Sequence, residues 1–462
     1  MTTRDVPAPV APAVAEPAAS AFVNTLYHEL LARGITYLFP GSRLETCGPA
    51  PTIEALLARG SARDDGLDFT WLGARYRLTT TGERLSDERL RLLDSIGHVL
   101  TARYRLLFHK AGAAQHLHLF RGLPENRYVS AFVDPGFFTN IEALPSTSSD
   151  RLSDAIEVLQ LSALTTYENR RIATGVLLLG AGPDPHHASP PHPPGAIRYA
   201  PEITSSRRFS RLCDGLQTLA LVDAEGFLVE LVDVERWVEP TAGVSLPVPS
   251  PARYRAHSRA TLFGGDVCLV LSPNGEIKVF AGGAQVFNFI DGRWRLTEAR
   301  AKYESWLQAL ADAAIAQRLF TAALDLAEGR RGALFVVLDD ATSAGQLVPS
   351  ADLLTAENRA TMAEESKRRF HYLLDDRHLL DVAPAVLESV ARTDGAIVLD
   401  AAGNLLAFGT ILQHPRSDAG VDVAEGGRTT AALAASHFGN ALMVSEDGVV
   451  SFFRAGRCVW QL

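Results

Sequence analysis

Three short runs near the end of this 462-residue chain carry side chains suited to a phosphorylated ligand. Asp394-Gly395-Ala396 offers a carboxylate to a divalent cation, Mg²⁺ or Mn²⁺, both of which favour carboxylate oxygens and leave positions for phosphate. Gly395 lets backbone approach a ligand closely. Gly426-Gly427-Arg428-Thr429-Thr430 sets two glycines, whose N–H groups can form an anion nest, before a guanidinium whose planar fork pairs with phosphate. Thr429 and Thr430 add hydroxyls able to hydrogen-bond a phosphate. Ser445-Glu446 supplies a further hydroxyl and a second carboxylate. Taken singly, each run is also ordinary turn chemistry, Asp-Gly above all.

These residues need elements to hold them. Ala396-Ile397-Val398-Leu399 reads as a buried strand after the Asp-Gly turn, and Ala441–Val444 as another before Ser445. The run Arg428 to Ser436 reads as a helix, whose N-terminus adds a partial positive charge beside Gly426-Gly427. An internal repeat frames them. Helix, basic turn and strand at Leu319–Leu324, Gly329-Arg330-Arg331 and Ala333–Val337 match Leu161–Tyr167, Asn169-Arg170-Arg171 and Thr174–Leu179. Further on, Phe263-Gly264, Val270-Leu271-Ser272 and Gly275 match Phe438-Gly439, Met443-Val444-Ser445 and Gly448. A tandem duplication of one domain explains the order. Asp214-Gly215 then falls near the place of Asp394-Gly395, and Arg255, His257 and Arg259 near that of Arg428.

The bulk composition narrows the classes. A net charge of −9 without a strong basic run argues against nucleic-acid binding. No run approaches the roughly 20 apolar residues that span a bilayer, so no membrane partner is expected and the chain is placed in the cytoplasm. Cys47, Cys213, Cys268 and Cys458 are scattered, which suggests neither a zinc knuckle nor a disulfide framework. The Ala/Pro/Val-rich residues 1–20 read as a disordered leader. His186, His187 and His192 in the Pro-rich 183–194 loop, and His116 with His118, are candidate metal ligands for which ordinary surface or core histidines are the plainer reading. Residues 21–145 read as an α+β region: a helix from Ala21 stopping at Gly34, a strand over Phe69–Thr81, and a helix capped by Ser86.

The order and spacing of the three runs, with Arg428 lying 34 positions after Asp394 and Ser445 a further 17 on, resemble the nucleotide site of DisA-type diadenylate cyclases. The resemblance covers roughly 295–462, and reaches 150–290 only through the repeat. It implies that Asp394 binds metal and the attacking ribose, with Arg428 and Asp394 the catalytic pair. It also implies nucleotide contacts by Gly395, Ala396, Gly426, Gly427, Thr429, Thr430 and Ser445, and metal ligation by Glu446 together with Asp394. In that family an Arg-His-Arg run grips the triphosphate, whereas this chain has Arg428-Thr429-Thr430. Losing a donor to developing charge typically costs about 10²–10³ in rate, while threonines still bind ground-state phosphate, so binding can outlive catalysis.

The resulting expectation is an α/β protein with two tandem mixed-sheet domains resembling diadenylate cyclase domains, at 146–292 (degenerate) and 293–462, behind the 21–145 region. A nucleotide-binding sensor for ATP or a cyclic dinucleotide is the leading function. An active cyclase making cyclic di-AMP and a non-catalytic scaffold are the alternatives. Either the two lobes form an intramolecular pseudo-dimer or two chains form a homodimer.

Overall fold

A computed structural model of the chain describes residues 17–50, 58–63, 66–80, 85–108, 119–141, 148–167, 170–182, 195–206, 209–355, 370, 373–374, 376–413 and 426–462. His116, His118, His186, His187 and His192 lie outside these residues, as do residues 1–16 of the leader. The chain divides into two units, Met1–Ser153 and Asp154–Leu462.

The first unit is α+β. Helix α1 (Pro17–Leu38) precedes strands β1 (Arg43–Pro49), β2 (Ala58–Arg63), β3 (Gly66–Trp71) and β4 (Ala74–Thr79), which form an antiparallel sheet in the order β1-β4-β3-β2. Helices α2 (Asp87–Phe108) and α3 (Pro124–Val133) follow. Ser86 caps α2 as expected, its Oγ accepting the Arg89 N–H at 3.1 Å, and the period-3.6 residues Leu92, Leu93, Ile96, Val99 and Leu100 are all buried.

The structure corrects three local expectations in this unit. Helix α1 begins within the supposed leader and runs through Gly34. That glycine ends nothing; a β-carbon there would press on Tyr128 and Ile96 at 3.1 and 3.3 Å, so Gly34 is the flat spot where helices approach. The single strand over 69–81 is instead a hairpin, turned at Leu72 (φ 44°) and Gly73 (φ 76°), the pair of positive φ values that a tight hairpin turn requires.

The second unit carries two tandem mixed sheets. After helix α4 (Arg151–Ala163), which ends earlier than the helix expected over 161–167, come β5 (Thr174–Leu178), β6 (Thr218–Val222) and β7 (Leu228–Asp233). Helix α5 (Arg255–Ala260) leads to β8 (Val267–Leu271), β9 (Ile277–Ala281), β10 (Ala284–Ile290) and β11 (Arg293–Leu296). The second lobe holds α6 (Ala299–Ala309), α7 (Ala313–Glu328), β12 (Ala333–Leu338), α8 (Pro384–Ala391), β13 (Ala396–Asp400) and β14 (Leu405–Thr410). It ends with α9 (Gly427–Ala435), β15 (Gly439–Val444), β16 (Val450–Arg454) and β17 (Arg457–Gln461).

The sheets run β7-β6-β5-β8-β9-β10-β11 and β14-β13-β12-β15-β16-β17. Strand for strand the order is the same, with one parallel pair in each (β5 with β6, β12 with β13) and an antiparallel neighbour on the other side (β8, β15). The α/β architecture with tandem sheets is therefore as expected, and β11 is the one strand without a counterpart.

Alternation along the second sheet sorts its core into two layers. Phe335, Val337, Ile397, Leu399, Leu442 and Val444 pack with Leu319, Phe320 and Leu326 of α7. Leu334, Val336, Ala396, Val398, Ala441 and Met443 pack with Ala432 and Ala435 of α9.

The lobes meet through unlike surfaces. Lys278 on β9 reaches Glu328 at the end of α7 (3.0 Å), Arg330 reaches Glu276 (2.8 Å), and the Ala252 N–H donates to Asp325 (2.5 Å). Strands of one lobe thus face a helix of the other, rather than two equivalent faces meeting about a twofold axis.

Candidate functional site

Sheet topology brings two of the three runs together. The parallel register of β12 and β13 pairs Phe335 with Ile397, which sets Asp394-Gly395 beside Gly332-Ala333 at the N-terminal ends of both strands. The antiparallel register of β12 and β15 pairs Ala333 with Val444, which sets Ser445-Glu446 at that same end. With neighbouring strands ~4.8 Å apart, the set spans roughly 10 Å.

Helix α9 crosses this end from the layer containing Ala396 and Met443. Gly426 is its N-cap residue, and Gly426, Gly427 and Thr430 are exposed. Arg428, half-buried, lies so close over Gly332 that a β-carbon there would collide with the guanidinium. Its Nη1 is 3.1 Å from Oε1 of Glu446, an exposed side chain. Thr429 turns inward, its hydroxyl 3.8 Å from the Met443 sulfur, leaving Thr430 as the outward hydroxyl of the pair.

Asp394 is exposed, and among the described residues none partners its carboxylate. The glycine after it is obligatory. Gly395 has φ +108°, and a β-carbon would lie 2.5–2.6 Å from backbone atoms of Gly409 and Thr410. Ala396 is buried under α9 and serves packing.

Ser445 holds a turn together. Its Oγ accepts the Val449 N–H at 3.1 Å and its own N–H donates to the Val449 carbonyl at 2.9 Å, closing the β15–β16 connection. Ser272 closes the matching β8–β9 turn through the Glu276 carbonyl. The surface-turn reading of Ser445 is the one its hydrogen bonds satisfy.

The residues bear on a metal in a limited way. Among the described residues no group of three or more His, Cys, Asp or Glu side chains could hold one, and Glu446 faces Arg428. Asp394 is left as a single carboxylate, which suits a Mg²⁺ or Mn²⁺ ion that takes its remaining oxygens from water and from the ligand's phosphates.

At the corresponding end of the first lobe the aspartate is already engaged. Asp214 Oδ1 accepts the N–H groups of Leu216, Gln217 and Thr218, each at 2.9 Å. Partial burial works against its charge, yet these bonds prevail and hold its pKa below the usual carboxylate range. Gly215 (φ +73°) is wedged on Thr174, whose carbonyl oxygen would be 2.5 Å from a β-carbon.

His257 of α5, fully buried, seals this end with Nε2 3.0 Å from the Gly215 carbonyl. Burial pushes the imidazole pKa down to about 4, so the ring is neutral and donates that hydrogen bond. Cys213 is buried beside it, its Sγ 3.1 Å from Thr174 Oγ1. Sequence reasoning located this basic run but missed that its histidine points inward; Gly332 was missed altogether.

No family model matches the chain, and no curated protein matches it. Among solved structures, a hypothetical membrane spanning protein from Bacillus cereus is 22% identical, with a TM-score of 0.26, over 36% of this chain and 70% of that one. A double mutant of DacA from Staphylococcus aureus is 20% identical, with a TM-score of 0.20, over 31% of this chain and 84% of that one. No helix among the described residues is long and apolar enough to cross a membrane.

Proposed function

We propose that the second lobe is a nucleotide-binding module, related to diadenylate cyclases, that senses its ligand rather than converting it. The observation that carries this reading is the meeting of Asp394, the α9 N-terminus and a single guanidinium at one end of one sheet. A carboxylate for a ligand-borne cation, N–H groups of a helix terminus and one fork-shaped cation make a phosphate cradle.

The same inventory argues against turnover. Phosphoryl-type transfer depends on cancelling charge that builds on phosphate oxygens. Here Arg428 is already paired with Glu446, and one of the two threonines after it is turned toward Met443.

Two assays test this. Calorimetric titration with ATP plus Mg²⁺ and with cyclic di-AMP is expected to give saturable binding. Incubation with Mn²⁺ and ATP is expected to yield neither cyclic dinucleotide nor pyrophosphate, and product formation would replace the sensor by a cyclase. Absence of binding by every nucleotide would leave a scaffold role instead.

A further inference from the structure

We propose that Glu446 is the selectivity residue of this site: held against Arg428 as an internal counter-anion, it disfavours a metal-free triphosphate and favours a ligand carrying singly charged phosphodiesters. This rests on the nucleotide reading above and names the ligand class within it.

Both partners of the ion pair are anchored. Arg428 leaves the first turn of α9 and lies over Gly332. Glu446 projects from a turn fixed on both sides by the Ser445–Val449 bonds and by the Gly448 N–H donating to the Ser445 carbonyl at 3.1 Å. The 3.1 Å Nη1–Oε1 contact thus joins a half-buried guanidinium to an exposed carboxylate whose backbone the turn fixes. A phosphate that takes Arg428 Nη1 must displace this carboxylate or accept it as a neighbour.

The surrounding charges point the same way. Asp394, Glu446 and the exposed Asp447 are carboxylates at this sheet end, against Arg428 and against Arg392, which already has Glu388 beside it at 3.7 Å. Arg330 is engaged by Glu276. Arg331 precedes Gly332 and, by strand alternation, falls on the face opposite α9.

A metal-free triphosphate brings three or four negative charges to this surface. A phosphodiester brings about one to each guanidinium it meets, and a divalent cation on the triphosphate narrows the difference. Screening at physiological salt keeps each exposed pair weak, so the effect is a preference rather than a gate.

The test compares the full-length protein with Glu446→Gln, an isosteric change at an exposed position, after confirming equal melting temperatures. Three probes are titrated at fixed ionic strength: cyclic di-AMP, ATP with EDTA, and ATP with Mg²⁺. Wild type is expected to bind cyclic di-AMP at least tenfold more tightly than ATP in EDTA, and Mg²⁺ to narrow that gap. Glu446→Gln is expected to tighten metal-free ATP about two- to fivefold and cyclic di-AMP less than about twofold.

Weaker binding of Mg²⁺-ATP by Glu446→Gln would make Glu446 a metal ligand and overturn the proposal. Equal wild-type affinity for cyclic di-AMP and metal-free ATP would also overturn it, while leaving the nucleotide reading intact. No binding of any probe by either protein would sink both.

Discussion

The two aspartates that precede β6 and β13 sit in different surroundings. Asp214 accepts three backbone N–H groups, whereas Asp394 is exposed and partnered by none of the described residues. Asp394→Asn should therefore change stability by less than about 0.5 kcal/mol yet weaken Mg²⁺-dependent nucleotide binding; calorimetry showing unchanged affinity would remove Asp394 from the site. His257 supplies a pH prediction. Its folded pKa of about 4 lies below the ordinary 6.5, so the stability it lends is whole above pH 6.5 and is lost as pH falls toward 4, where the unfolded chain takes up a proton that the folded chain refuses. The groups that bear on it are Asp214, which favours its charge, and Arg253, which opposes it. The loss amounts to about 3 kcal/mol, and urea melts of His257→Asn should show a correspondingly flatter profile over that window. Asp394 and Arg428 stood out as candidates in the sequence because carboxylate and guanidinium chemistry shows in residue type. The pairing of Glu446 with Arg428 was not, because it depends on how a turn aims a side chain.

At the scale of elements, two glycines separate packing from function. Gly395 combines φ +108° with backbone neighbours that cannot yield, so Gly395→Ala should cost about 1–3 kcal/mol from the conformation alone and more from the overlap with Thr410. The atoms nearest a β-carbon at Gly332 belong to the end of the Arg428 side chain, which can swing away. Gly332→Ala should therefore leave the melting temperature nearly unchanged while displacing the guanidinium and lowering nucleotide affinity severalfold. Equal affinity in that variant would show that Arg428 does not act from its place over Gly332. Strands and capped helices were readable from alternation and from Ser86, while Gly34 was misread as a helix stop. A glycine that ends a helix and one that lets helices approach look alike in one dimension; the difference lies in Tyr128 and Ile96, distant in sequence.

Across the whole molecule, the repeat was legible because matched turns recur at nearly constant offset, and the two sheets share one strand order. The manner of lobe contact was not legible, since the ion pairs among Lys278, Glu328, Arg330 and Glu276 join surfaces that the repeat treats as unrelated. Lys278 is buried, and Lys278→Ala would strand the partly buried Glu328 carboxylate while Glu276 keeps Arg330; a loss of up to about 3 kcal/mol is expected in urea melts. With the first lobe's Asp214 engaged by three backbone N–H groups, a single mononucleotide per chain is expected. Calorimetric titration of Mg²⁺-ATP into the full-length protein and into an Asp394→Asn, Arg428→Ala double variant tests this most directly. One site per chain in the wild type, lost in a double variant that melts at the wild-type temperature, is the predicted result. Two sites per chain, or undiminished binding in the double variant, would contradict it.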